Sequence, residues 1–180
     1  MWYNKSMKEM VFMKKSLVLI FLCIFMFTLT GCVIKDQTYT GGGVSIRLKS
    51  DFKEYDHPSW DYYLYNDDQV AFMVTRYTRH QTLQGVDLSK LTLEEYMNFC
   101  IATNEFEATV FIVERPIDQF DPFCYCYFTD ANDKFGYMMI VMTDENYYYN
   151  MCLSTTYEDF QNSKQMLMEY SITIRLVSSN

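Results

Sequence analysis

The chain has 180 residues, with 15 Lys and Arg against 23 Asp and Glu and a formal net charge of −8. That acidic balance argues against a protein built to neutralise nucleic-acid phosphates, so nucleic acid is not an expected partner. At 49% hydrophobic and 18% aromatic residues, the chain has ample material for a buried core, which excludes intrinsic disorder over most of its length.

Residues 1–31 read as a targeting segment. Lys5, Lys8, Lys14 and Lys15 precede an unbroken apolar stretch, Leu17 to Phe27, and then Leu29-Thr30-Gly31-Cys32. A bilayer-spanning helix needs roughly 20 apolar residues, and this stretch holds 11, so a cleaved secretory signal is the expectation. Met13-Lys14-Lys15 would by itself make a compact start to such a signal, which makes Met13 the alternative to Met1 as the first residue. The segment Leu29-Thr30-Gly31-Cys32 resembles the lipobox of bacterial lipoproteins: an aliphatic residue, two small residues and a cysteine. The resemblance implies cleavage between Gly31 and Cys32 and acylation of the Cys32 thiol. Membrane lipid is then a partner through that anchor, and the location is the extracytoplasmic face of the cell membrane. Two acyl chains hold firmly, at about 0.8 kcal/mol per buried CH₂.

Residues 1–31 take four lysines and one glutamate with them, leaving 11 basic and 22 acidic residues in the remainder. Anionic headgroups repel such a surface, so membrane residence is expected from Cys32 and not from the domain face. Residues 32–43 are polar and end in Gly41-Gly42-Gly43, the composition of a flexible tether. Residues 44–180 contain no repeat and no second linker, which gives a single domain.

Within that domain, Val44-Ser45-Ile46-Arg47-Leu48 alternates as a half-buried strand should. Trp60 to Tyr65 and Gln69 to Tyr77 form two strands of a hairpin about Asn66-Asp67-Asp68. Thr92 and Glu95 make a capping box that opens a helix, and Leu93, Tyr96, Met97 and Cys100 give it one apolar face. Four strands follow as a meander: Thr109 to Glu114, Phe123 to Thr129, Phe135 to Met142 and Tyr147 to Leu153. A second amphipathic helix runs from Thr156 or Glu158 to about Tyr170, with Ile172 and Ile174 alternating after it. The fold class is α+β, an antiparallel sheet of about six or seven strands flanked by two main helices.

The opening V-S-I-R-L strand, the T-L-E-E-Y helix start, the meander, and a closing helix running into S-I-T-I together resemble the PsbP/Mog1-like α/β/α sandwich family. The resemblance covers Val44 to Leu176. It implies a binding or assembly role, and it carries no catalytic residues across.

Cys100, Cys124, Cys126 and Cys152 remain besides Cys32. Counting register from a turn at Asn132 sets Cys126 opposite Met139 and Cys124 opposite Val141. Counting from a turn at Glu145 sets Cys152 opposite Met138 and on the other face of the sheet. Two strands of separation is about 9.6 Å, beyond the roughly 7 Å a disulfide spans. Buried free thiols are therefore expected, with a disulfide through Cys100 as the alternative. The spacing matches no zinc pattern, and no metal or cofactor is expected.

Neither His57 nor His80 lies in H-E-x-x-H or near G-x-S-x-G. Asp130-Ala131-Asn132-Asp133-Lys134 superficially suggests a calcium loop, but Lys134 stands at the fifth position and Val141 at the twelfth, where Glu is needed. No catalytic residue is assigned, and the chain is not expected to be an enzyme. Aromatics are the remaining unusual feature. On a strand Tyr148 must point away from Tyr147 and Tyr149, and Tyr63, Tyr65 and Tyr149 are candidate ligand-binding residues. The leading expectation is a lipid-anchored binding or assembly factor with an envelope protein as partner. The alternative is a small-molecule or glycan binder using an aromatic surface. An enzyme would instead show His57 or His80 meeting a carboxylate or cysteine in a cleft.

Overall fold

The structure is a computed structural model and describes residues 35–113, 122–130 and 134–177. The compact unit from Asp36 onward begins with the hairpin β1 (Asp36–Gly41) and β2 (Val44–Lys49). Val44, Ile46 and Leu48 are buried, and the residues between them face outward, as the period of two requires.

Residues 36–43, expected as part of a flexible tether, are ordered strand and turn. Gly42 and Gly43 have φ of 58° and 80°, the two left-handed positions of a tight hairpin turn, which glycine occupies without steric cost. The glycines join two strands. Tyr39 locks the pair, donating its hydroxyl to the carbonyls of Lys49 and Phe52 at 3.1 Å.

Next come β3 (Lys53–Glu54), β4 (Tyr62–Tyr65) and β5 (Ala71–Thr78). The β4–β5 turn is held by Asn66, whose Oδ1 accepts from the Val70 amide at 2.9 Å. A small hairpin of β6 (Thr82–Leu83) and β7 (Val86–Asp87) turns on Gln84 and Gly85, both left-handed. It leads into helix α1 (Leu93–Thr103). The capping box forms as expected: Thr92 Oγ1 accepts from the Glu95 amide at 3.2 Å, and Glu95 Oε2 accepts from the Thr92 amide at 2.8 Å. Then follow β8 (Phe111–Val113), β9 (Phe123–Thr129), β10 (Phe135–Thr143), β11 (Tyr147–Thr156), helix α2 (Tyr157–Ser171) and β12 (Arg175–Leu176).

Among the described residues the main sheet has seven antiparallel strands in the order β3-β4-β5-β11-β10-β9-β8, and β1-β2-β12 forms a second sheet. One face of the main sheet presents Leu64, Phe72, Ile140, Met151 and Leu153 to β2 and to Phe160 and Leu167 of α2. This is the larger core. The opposite face packs Cys124, Cys126, Met139, Val141 and Tyr148 against Tyr96, Met97 and Cys100 of α1. There the Tyr148 ring stacks on Tyr96 with centroids 3.8 Å apart and planes 4° apart, while its hydroxyl donates to the Leu91 carbonyl at 2.6 Å. Aromatic pairs add about 0.5–1.5 kcal/mol beyond area burial.

Cys126 pairs with Met139 and Cys124 with Val141, as the register count required. Cys152, however, pairs with Met139 and not Met138. Asp144 Oδ1 accepts from the amides of Asn146 and Tyr147 at 2.7 Å, which centres the turn between Glu145 and Asn146. One residue of slip flips the face, so Cys152 shares a face with Cys124 and Cys126.

Candidate functional site

Helix α1 has 11 residues and so extends about 16 Å. A seven-stranded sheet is about 29 Å across at roughly 4.8 Å per strand. Packed over β9 and β10, α1 leaves the β4–β5 half of its face uncovered. Beside the helix, alternating residues of four strands, β5, β11, β10 and β9, line a cavity of about 930 Å³. Met73, Met139, Asn150 and Cys152 line the sheet side of it, and Trp60, Tyr77, Phe106, Phe128 and Tyr137 supply its rings. A second cavity of about 330 Å³ shares Met73 and Tyr137 with the first and adds Tyr63, Tyr65 and Phe135. The two together form one groove.

Each wall is a series of aromatic contacts. On one side Phe106 stacks on Phe128 at 4.0 Å, and Phe128 on Tyr137 at 5.0 Å. On the other, Tyr63 stacks on Tyr65 at 6.2 Å, and His57 lies between Tyr63 and Trp60 at 5.8 and 6.4 Å. The rings are half-buried, so each keeps surface for a ligand. Phe106 reaches the wall because α1 ends at Asn104 and Glu105 adopts φ of 56°, which turns the chain out of the helix. A left-handed non-glycine residue at a helix end is strained, and this one lines the groove.

The electrostatics are one-sided. Glu105, Glu107 and Asp130 line the larger cavity, whose described lining contains no Lys or Arg; the imidazole on the groove wall is His57. Asn150 donates Nδ2 to Cys100 Sγ at 3.6 Å, and its Oδ1 is buried without a partner among the described residues. Burial raises the Tyr137 hydroxyl, aided by the Asp130 carboxylate. Burial likewise pushes the Cys152 and Cys126 thiols up to about 12. A thiol so raised stays protonated at neutral pH and is a poor nucleophile.

The groove brings together two of the three tyrosines singled out from sequence. Tyr63 and Tyr65 line it, whereas Tyr149 does not. Tyr149 is 4% exposed on the α2 face, where its hydroxyl donates to Asp144 Oδ2 at 2.7 Å. Its alternation with Tyr148, which faces α1, puts it in the core. The cleavage and lipidation positions Gly31 and Cys32 lie outside the described residues. His57 Nδ1 accepts from the Ser59 amide at 3.2 Å, and among the described residues no hydrogen bond joins either histidine to a carboxylate or cysteine. Trp60, Tyr77, Phe106, Phe128, Tyr137 and Asn150 were not singled out from sequence as a set. The signal was there in the even-odd alternation of β5, β9, β10 and β11, read across strands and not along them. Among the described residues no helix is long and apolar enough to cross a membrane, and no group of three metal-ligating side chains is present.

No protein-family model matches the chain, and no curated protein sequence matches it. Among solved structures, the chain is similar to the solution structure of cyanobacterial PsbP (CyanoP) from Synechocystis sp. PCC 6803. The TM-score is 0.53 at 14% identity, covering 81% of this chain and 96% of that one. The likeness is one of fold: a PsbP-like α+β sandwich.

Proposed function

We propose that the protein is a membrane-anchored extracytoplasmic lipoprotein that acts as a non-enzymatic binding or assembly factor in the cell envelope, with the aromatic groove as its binding seat. One observation carries the reading: α1 covers only part of one sheet face, and the part it leaves open holds two aromatic-lined cavities of about 930 and 330 Å³ that share Met73 and Tyr137. Concave sites lined by aromatic side chains with a few polar groups are the usual form of a ligand seat. The L-T-G-C segment supplies the anchor in this reading. The ordered start of β1 at Asp36 leaves only Val33 to Lys35 between it and Cys32. At about 3.6 Å per residue that is a leash under roughly 15 Å, so the domain works close to the bilayer surface.

A small-molecule or glycan ligand is the second reading, favoured by the near-parallel Tyr63 and Tyr65 rings, 17° apart, on the cavity wall. Crosslinking on intact cells followed by pull-down tests the first reading, comparing the native chain with Cys32→Ala and with Tyr137→Ala. The expected result is one envelope protein enriched by the native chain and lost with both variants. Enrichment that survives Tyr137→Ala would remove the groove as the seat, and an empty pull-down with the native chain would favour the second reading. Radiolabelled palmitate incorporated by the native chain and not by Cys32→Ala is the expected signature of the anchor.

A further inference from the structure

Resting on the groove as a binding seat, we propose that its occupant is a basic segment of a partner protein, which inserts an arginine or lysine side chain between the two aromatic walls. Charge complementarity and the aromatic surface both point to that occupant. Every charged residue in the lining is a carboxylate: Glu105 and Glu107 on the segment leaving α1, and Asp130 at the end of β9. Among the described residues none of the three forms an ion pair with a basic side chain of this chain. Arg76 lies over Tyr147, Arg79 over Tyr148, and Lys164 over Tyr127 and Phe160, all outside the groove lining. The ring faces of Trp60, Tyr77 and Tyr137 carry the negative side of the aromatic quadrupole, which favours a cation above them. Beneath the groove the unpartnered Oδ1 of Asn150 adds the negative end of an amide dipole.

The backbone points the same way. Glu105 occupies a left-handed position where glycine would be relaxed, so a carboxylate stands at the groove at a cost to the fold. A guanidinium stacks on aromatic rings and pairs with carboxylates at once, and arginine is enriched in the centres of protein interfaces for that reason. A neutral glycan would use the rings and leave the concentration of negative charge without a counterpart.

The test uses the full processed chain. A phage-displayed library of random dodecapeptides is panned on it, and the best binder is synthesised with a fluorophore, once as selected and once with each arginine replaced by citrulline and each lysine by norleucine. Spermidine and maltohexaose serve as competitors. The expected result is a peptide that loses at least tenfold in affinity when its basic residues are neutralised. It should also lose at least fivefold against the Glu105→Gln, Glu107→Gln double variant, and not against an exposed control, Gln165→Ala on α2. Equal affinity of the charged and neutral peptides, or binding indifferent to the two glutamates, would overturn the inference. Displacement by maltohexaose with no dependence on the glutamates would also overturn it while leaving the groove as the seat. Spermidine binding without any selected peptide would assign the groove to a small amine. Retained peptide binding by Tyr137→Ala would instead show the groove reading itself to be wrong.

Discussion

Glu105 is the residue at which stability and function pull apart. Left-handed backbone costs a non-glycine residue roughly 1–2 kcal/mol, and Glu105 is exposed, so little packing is lost with its side chain. Glu105→Gly is expected to stabilise the fold by about 1 kcal/mol, a rise in melting temperature of roughly 3 °C, while binding in the groove weakens. Asp144 behaves oppositely. Burial opposes its ionisation, but the Tyr149 hydroxyl, the amides of Asn146 and Tyr147 and the nearby Arg79 together hold its carboxyl below the ordinary carboxylate value. A depressed carboxyl contributes stability above its unfolded pKa of about 3.9 and loses it as pH falls through the folded value. Acid titration of stability should therefore be steeper below about pH 4 for the native chain than for Asp144→Asn, read by urea midpoints across that range. The thiols of Cys124, Cys126 and Cys152 are raised by burial to between about 11 and about 12. Iodoacetamide at pH 8 should modify them slowly in the folded chain and quickly in urea. Rapid labelling of folded Cys152, the most accessible of the three, would contradict that.

At the level of elements, what could be read in the sequence is what is local. Thr92 and Glu95 sit three residues apart and satisfy each other's backbone, so the start of α1 needs no tertiary information. Thr92→Ala is expected to cost about 1 kcal/mol through the lost cap, measured by denaturant unfolding. The meander could be read for the same reason, since each strand is followed by polar turn residues. The hairpin of β1 and β2 could not, because Gly42 and Gly43 have the composition of a linker. The antiparallel register, with Gly41 opposite Val44, and the left-handed φ of both glycines show them to be a turn. At Gly43 a Cβ would stand 2.7 Å from the Tyr149 ring, so Gly43→Ala should destabilise by strain and by clash together, whereas a tether glycine would tolerate it. The face of Cys152 was lost to a single residue of turn geometry set by the Asp144 side chain, which a count from the sequence does not contain.

For the whole molecule, layers and core followed from patterning, but the groove did not. It arises from a mismatch of dimensions: a short helix laid on a wide sheet. Strand order decides which residues line the part left open, and the sequence places Trp60, Phe106 and the Phe128–Tyr137 pair far apart. Tyr63 and Tyr65 could be picked out because they are adjacent on one strand face, and Tyr149 was misplaced because its neighbour Tyr148 is the residue that faces α1. The central claim is that this open face is where the protein meets its partner. Photocrosslinking from single benzoylphenylalanine residues in cells tests it most directly, placed at Tyr137 in the groove and at Gln165 on α2, with adducts read by intact mass. The account predicts a discrete adduct from position 137 and none from position 165; an adduct from position 165 alone, or equal adducts from both, would contradict it.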